Sequence, residues 1–226
     1  MTKIRKKFYS FFKYFMYIFL DFFTNIFFHI KNYKIKKSNE ILITRIDNLG
    51  DFVVSLNILK KIREKIKKNP TFQNVKITFL CNDFLVELAK KTNLFDEIIS
   101  VDAKKIFFGD NLLEISLNFE NLAYRCKKLL KLKQKKYIKI IHLNNKYMTS
   151  FLLKNLYADK KIGMFDKIGK KNLNKFINKF YDKYIEIPDK NELKKLTYFF
   201  NKMFDGNIVT APPSINFNIN SKKHFI

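Results

Sequence analysis

A single carboxylate, Asp51, stands where chemistry is most readily placed in this chain. It closes the stretch Glu40-Ile41-Leu42-Ile43-Thr44-Arg45-Ile46-Asp47-Asn48-Leu49-Gly50-Asp51. The run Ile41 to Thr44 is nearly all apolar, the pattern of a strand buried on both faces of a parallel sheet. Asn48-Leu49-Gly50 reads as a tight turn. Asp51 then opens an amphipathic helix with Phe52, Val53, Leu56, Leu59, Ile62 and Ile66 on one side and lysines on the other. This strand–turn–helix sets the carboxylate just beyond the carboxyl end of the first strand, where open α/β sheets bind ligands. A carboxylate there can take a proton from an attacking hydroxyl, and Gly50 would let a substrate come close to the backbone. The alternative is that Asp51 only caps the helix; spacing alone leaves both roles open. No Gly-x-Gly-x-x-Gly and no Gly-Lys-Ser/Thr is present, so neither a dinucleotide fingerprint nor a P-loop accounts for the turn.

The elements that must position Asp51 alternate. After the first strand and helix (Ser38 to Asn69) come a second strand at Val75 to Leu80, a helix around Phe84 to Lys91, and a third strand at Glu97 to Val101. Asp102 to Asn111 reads as a loop. A long helix follows at Leu117 to Lys133, then a strand at Tyr137 to Leu143, a helix at Met148 to Tyr157 and a short strand at Lys160 to Met164. The stretch from Phe165 to Tyr184 is rich in Lys, Asn and Phe; it could be helical, and the sequence does not place it. Asn191 to Phe204 is helical by pattern, Gly206 ends it, and Ala211-Pro212-Pro213 reads as a linker. Strands alternating with helices indicate an α/β fold with a parallel sheet.

Composition narrows the partners. Among the 226 residues, 45 Lys+Arg face 20 Asp+Glu, a formal net charge of +25. That excess favours anionic partners such as nucleic acid, acidic membrane or phosphorylated glycan. Lysine is spread along almost every segment, so part of the charge is compositional. No helix-turn-helix, zinc or RRM signature accompanies it, and nucleic acid is not expected as a partner. Hydrophobic residues at 47 % exclude a mainly disordered chain. Cys81 and Cys126 fall in different elements and suit a reducing compartment, and neither they nor His29, His142 and His224 have metal-ligand spacing.

Residues 1–37 form a separate segment. Lys3, Arg5, Lys6 and Lys7 precede an aromatic run from Phe8 to Ile30, and Lys31, Lys34, Lys36 and Lys37 follow it. The run is long enough to span a bilayer, but Lys13 and Asp21 would lie in the hydrocarbon. At 100° per residue Ser10, Lys13, Asp21, Thr24 and Asn25 gather on one side and the phenylalanines fall largely elsewhere. This suits a helix lying in the interface of an anionic membrane; packing on its own domain is the plainer alternative. No small-residue cleavage site follows, as a cleaved signal peptide requires.

The stretch Ile41 to Glu64, ILITRIDNLGDFVVSLNILKKIRE, resembles the amino terminus of the glycosyltransferase family 9 enzymes, the ADP-heptose:lipopolysaccharide heptosyltransferases and their relatives. Phe95-Asp96-Glu97-Ile98-Ile99, Lys136-Tyr137-Ile138-Lys139-Ile140-Ile141 and Lys161-Ile162-Gly163-Met164 resemble later segments of that family, in the same order. The resemblance covers roughly residues 40–205. It implies a Rossmann-like acceptor domain, the amino-terminal domain of a GT-B glycosyltransferase, at residues 38–205, with a linker at 206–226 leading to a donor-binding domain that would begin where the chain ends. It implies inverting, metal-independent transfer of a sugar from a nucleotide-diphosphate sugar such as ADP-heptose to a lipopolysaccharide-core or other anionic glycan, with Asp51 as base. The chain alone is then expected to be nearly inactive. Asn48 and Gly50, and Asn144 and Lys146 after the later strand, are the substrate-binding candidates of the two polar turns. Lys104 and Lys105 match basic positions that meet acceptor phosphates or sugar acids, as point charges rather than bidentate forks. His142 stands where the family commonly has an acidic residue. A peripheral site on the cytoplasmic face of the bacterial inner membrane follows from the basic aromatic segment together with this resemblance. The alternative is a non-catalytic membrane- or glycan-binding protein.

Overall fold

The computed structural model describes residues 15, 18–19, 21–26, 28–29, 33–107, 119–144, 147–166, 177–188 and 191–206. The remaining stretches, among them Lys146 and the expected linker beyond Gly206, lie outside the described residues. At its centre is strand β2 (Glu40–Arg45), buried along its whole length. Ile41 and Ile43 point into one core and Leu42 into the other, and all three are fully buried. That two-sided burial is what a run without polar alternation demands, and each such side chain contributes about 1.5–3 kcal/mol by leaving water.

Six strands form a parallel sheet in the order β4 (Glu97–Val101), β3 (Lys76–Asn82), β2, β5 (Lys135–His142), β6 (Tyr157–Asp166), β7 (Lys183–Ile187). A two-residue strand, β1 (Lys36–Lys37), pairs with the foot of β5 and makes the seventh. The order reverses between β2 and β5, so the crevice of a doubly wound sheet opens at their carboxyl ends. The first helix after β2, α2 (Leu49–Lys68), buries Phe52, Ile58, Leu59, Ile62 and Ile66 against one face, together with α3 (Val86–Lys91) and the last helix, α7 (Glu192–Phe204). The other face carries α4 (Ala103–Phe107), α5 (Phe119–Lys133) and α6 (Tyr147–Lys154). The α/β class and Rossmann-like order agree with the sequence reading.

Several local expectations are corrected. α2 begins at Leu49, not Asp51, so Leu49 and Gly50 belong to its first turn rather than to a tight turn before it. The expected loop after β4 holds the short helix α4, whose backbone N–H groups at Lys104 and Lys105 donate to the Asp102 carboxylate. β6 runs longer than Lys160 to Met164. β7 had no counterpart in the sequence reading; its pattern Tyr184-Ile185-Glu186-Ile187 is short and lysine-flanked. At the end of α7 the left-handed residue is Asp205 (φ 49°), with Gly206 N–H donating to the Asn201 carbonyl. The sequence pattern assigned that stop to Gly206.

The amino-terminal helix, α1, is described at residues 15, 18–19, 21–26 and 28–29. It lies over α5 as a further layer and packs with its polar face: Asp21 pairs with Arg125 at 2.9 Å, and Thr24 meets Cys126 Sγ at 3.4 Å. Lys133 donates to Asn25 and sits over the Phe28 ring at 4.7 Å. Among the described residues no helix is long and apolar enough to cross a membrane.

Candidate functional site

All described strands run one way, so their carboxyl ends share one edge, and the switch between β2 and β5 gathers the polar groups there. Arg45, the last residue of β2, is fully buried. Its guanidinium donates to the Leu143 carbonyl at 2.9 Å and to Glu192 Oε1, at the start of α7, at 2.7 Å. It lies 3.5 Å from Asp47 Oδ2. Asn144 donates its amide to Asp47 Oδ1 at 2.8 Å and to the Ile46 carbonyl at 3.2 Å. Lys195 Nζ lies 3.9 Å from the same Glu192 carboxylate, so two buried cations face two carboxylates, and the Ile46–Asn48 connection is tied to β5 and α7. A buried charge survives only with such partners. The network holds the start of α2 in place.

Above it the chain turns outward. Asn48, Leu49 and Gly50 are exposed and Asp51 is half-buried. Asn48 caps α2 by position only, since its side chain makes no capping bond. Asp51 sits in the first turn, where a carboxylate suits the helix dipole, and no hydrogen bond or ion pair ties it to another described residue. A Cβ built on Gly50 meets nothing within 4 Å. The glycine therefore answers no internal crowding, and the space over it is open to a ligand.

That space separates stability from binding. Gly50→Ala is expected to leave the thermal midpoint unchanged or raise it, since alanine is favoured over helical glycine by about 0.5–1 kcal/mol. The same substitution should weaken ligand affinity. A melt and a binding titration of one preparation check this; unaltered affinity would remove Gly50 from the site.

The other candidates are distributed along the edge. Asn144 is buried and serves the Asp47 loop. Lys104 and Lys105 are exposed on α4, at the end of β4, two strands from β2 and so on the order of 10 Å away along the edge. Lys105 Nζ lies 3.8 Å from Asp102 and over the Tyr124 ring at 5.8 Å. Lys146 lies outside the described residues. Sequence reasoning missed Arg45, Asp47 and Glu192. A signal for the first two was present: two charges at alternate positions ending an apolar strand share one face.

His142, at the end of β5, is fully buried beside this network. Its Nδ1 lies 2.5 Å from the Tyr181 hydroxyl, which donates to Ser150 Oγ at 2.9 Å. The Tyr181 oxygen therefore accepts from Nδ1–H, and Nε2 keeps a lone pair with no partner among the described residues. Tyr181 also explains Gly163, since a Cβ there would lie 2.7 Å from its ring. Burial, and then the Arg45 charge, push the His142 imidazole from 6.5 down to about 3. Between those values the unfolded chain binds a proton that the folded chain refuses. Stability should therefore fall as pH drops below about 6.5, by about 1.4 kcal/mol per unit from this residue. Denaturant titrations of wild type and His142→Gln from pH 4 to 7 should diverge toward high pH as the wild type gains; parallel curves would refute the assignment.

Among the described residues no group of three His, Cys, Asp or Glu side chains could hold a metal ion.

No family model matches this sequence, and no curated protein matches it. Solved structures do match by fold. Escherichia coli heptosyltransferase WaaC with ADP-2-deoxy-2-fluoro heptose superposes with a TM-score of 0.57 at 16 % identity, over 78 % of this chain and 50 % of that one. The same enzyme with ADP gives 0.52 at 15 % identity, over 78 % and 49 %. A glycosyl transferase family 9 protein from Veillonella parvula DSM 2008 gives 0.50 at 17 % identity, over 73 % and 41 %. The chain spans about half the length of the heptosyltransferase structures it matches. At these identities the likeness shows the fold.

Proposed function

We propose that this chain is the acceptor-binding, amino-terminal half of a glycosyltransferase of the heptosyltransferase type. The observation that carries the reading is the carboxylate of Asp51, untied among the described residues, beside the open space over Gly50 at the β2–β5 switch. The fold shared with half of the heptosyltransferase chains supports it. In this reading the acceptor hydroxyl attacks the anomeric carbon of a nucleotide-diphosphate sugar such as ADP-heptose. The bond from that carbon to the diphosphate breaks, and the hydroxyl proton passes to Asp51. A single displacement inverts the anomeric configuration and requires no metal. The donor is held by groups outside the matched half, and most of the rate comes from aligning hydroxyl, base and anomeric carbon. Asn48 and Gly50 would meet the acceptor at the switch, Lys104 and Lys105 would meet its anionic groups further along the edge, and Lys146, outside the described residues, would be a further acceptor contact. Asn144 would act through Asp47. The acceptor is a lipopolysaccharide-core or similar anionic glycan, reached from the cytoplasmic face of the inner membrane.

The test is sugar transfer from ADP-heptose to a lipopolysaccharide-core acceptor by the complete gene product isolated from its native cell. Calorimetry of the acceptor with this 226-residue chain accompanies it. Transfer with inversion is the expected result. Acceptor binding without any transfer would replace this reading with that of a non-catalytic glycan-binding protein, and neither would overturn both.

A further inference from the structure

The amphipathic helix α1 is packed inside out. Asp21, Thr24 and Phe28, spaced at three and four residues, are buried against the domain. The opposite face carries Phe15, Ile18, Phe19, Phe22, Phe23 and Ile26 at the spacing of one helical stripe, and all six are exposed, Phe22 at 58 %. Their rings lie against one another, with Phe19 and Phe23 centroids 4.6 Å apart and Phe22 and Phe23 5.9 Å apart, rather than against the core. A contiguous aromatic stripe left outward on a monomer marks an interaction surface.

We propose that this face is a membrane-docking surface for an anionic phospholipid bilayer, with α1 lying in the interface while strapped to α5 through its polar side. Charge selects the occupant. Lys34, Lys36 and Lys37, just after the helix, are exposed, and Lys3, Arg5, Lys6 and Lys7 precede it in the sequence. Beside the helix a groove of about 670 Å³ is lined by Tyr33, Tyr124, Lys127, Lys128 and Lys131. It adjoins α1 directly, since Tyr33 stacks on Phe28 at 5.4 Å. Aromatic insertion flanked by lysines is how an interfacial helix holds anionic headgroups. A second copy would bring a second charge of +25 to the same surface, which repulsion opposes. Spanning is opposed from the other side, because Asp21 is committed to Arg125 at 2.9 Å inside the domain. The proposal deepens the membrane location proposed above and does not depend on the sugar chemistry.

The experiment is co-sedimentation of the 226-residue chain with phosphatidylcholine vesicles containing or lacking phosphatidylglycerol, at two salt concentrations, with sedimentation velocity alongside. Wild type should bind the anionic vesicles, more weakly at high salt. The variant Phe19→Ser/Phe22→Ser/Phe23→Ser, altered only on the outward face, should lose about a hundredfold in partition with unchanged circular dichroism. Lys127→Glu/Lys131→Glu should lose the preference for phosphatidylglycerol and keep its fold. Equal binding by wild type and the phenylalanine variant would overturn the docking face while leaving the membrane location standing. No vesicle binding by any form would overturn both. A wild-type dimer that the phenylalanine variant abolishes, with vesicle binding unaffected, would assign the face to self-association instead. Transfer by the complete gene product to a soluble, delipidated acceptor should be the same with and without the three phenylalanine substitutions; no transfer by the complete wild-type product would fail the glycosyltransferase reading alone.

Discussion

Asp51→Asn in the complete enzyme is expected to lower kcat by about 10²- to 10⁴-fold, the range supplied by a positioned general base. The carboxamide keeps the shape of the side chain but cannot take the hydroxyl proton. Little else should change. The side chain gives up no hydrogen bond or ion pair to a described residue, and the lost dipole interaction in the first turn of α2 is worth only about 0.3–1 kcal/mol. A cap would behave the other way: its loss would cost stability and leave turnover alone. Initial rates over a range of acceptor concentration, with a thermal melt of the same sample, separate the two. Unchanged kcat with a lowered melting temperature would return Asp51 to a purely structural role.

The second large effect is expected at Arg45. Arg45→Met keeps the apolar stem in the core but removes the group that joins β2, the Leu143 carbonyl, Asp47 and Glu192. Asp47 then stays buried but loses the guanidinium that faced it, and breaking a buried pair from one side costs about 3–5 kcal/mol. Glu192 is partly exposed and can rehydrate, so Asp47 carries most of that cost. The urea midpoint should move down accordingly. A double variant, Arg45→Met/Asp47→Asn, should recover part of the loss, because the stranded charge is gone. Loss below about 1 kcal/mol in the single variant would mean that water reaches the pair and that the network does not hold the loop.

Much of the fold was legible because β2 and β3 are nearly continuous apolar runs buried on two faces, while β4 and β5 keep short apolar stretches on either side of Ser100 and Lys139. α2 was legible by its period, although its start was set two residues late. Nothing in Asn48-Leu49-Gly50 forbids helix at Leu49, and the glycine misled by suggesting a turn. β7 was not legible: an edge strand of five residues lacks the length to separate it from loop. The helix after β4 is one short turn capped by Asp102, too brief for a period to show. In the candidate site, Asp51 and Gly50 could be found from strand–turn–helix spacing. Glu192 could not, because it lies 147 residues from Arg45 in the chain.

The amino-terminal helix divides the two sources of information most clearly. Its sequence alone determined that one side would be aromatic and the other polar, since side-chain type and a period of 3.6 suffice for that. Sequence likewise determined the parallel α/β class and the carboxylate after the first strand. Which side of α1 met the protein was decided only by tertiary structure. Arg125 is buried in α5 and needs a counter-charge, and Asp21 supplies it at 2.9 Å, so the polar face turned inward. The same reason places Asp47 and Glu192 around Arg45. A buried charge takes its partner from wherever the fold brings one within reach, and that distance is not written in the local pattern of residues.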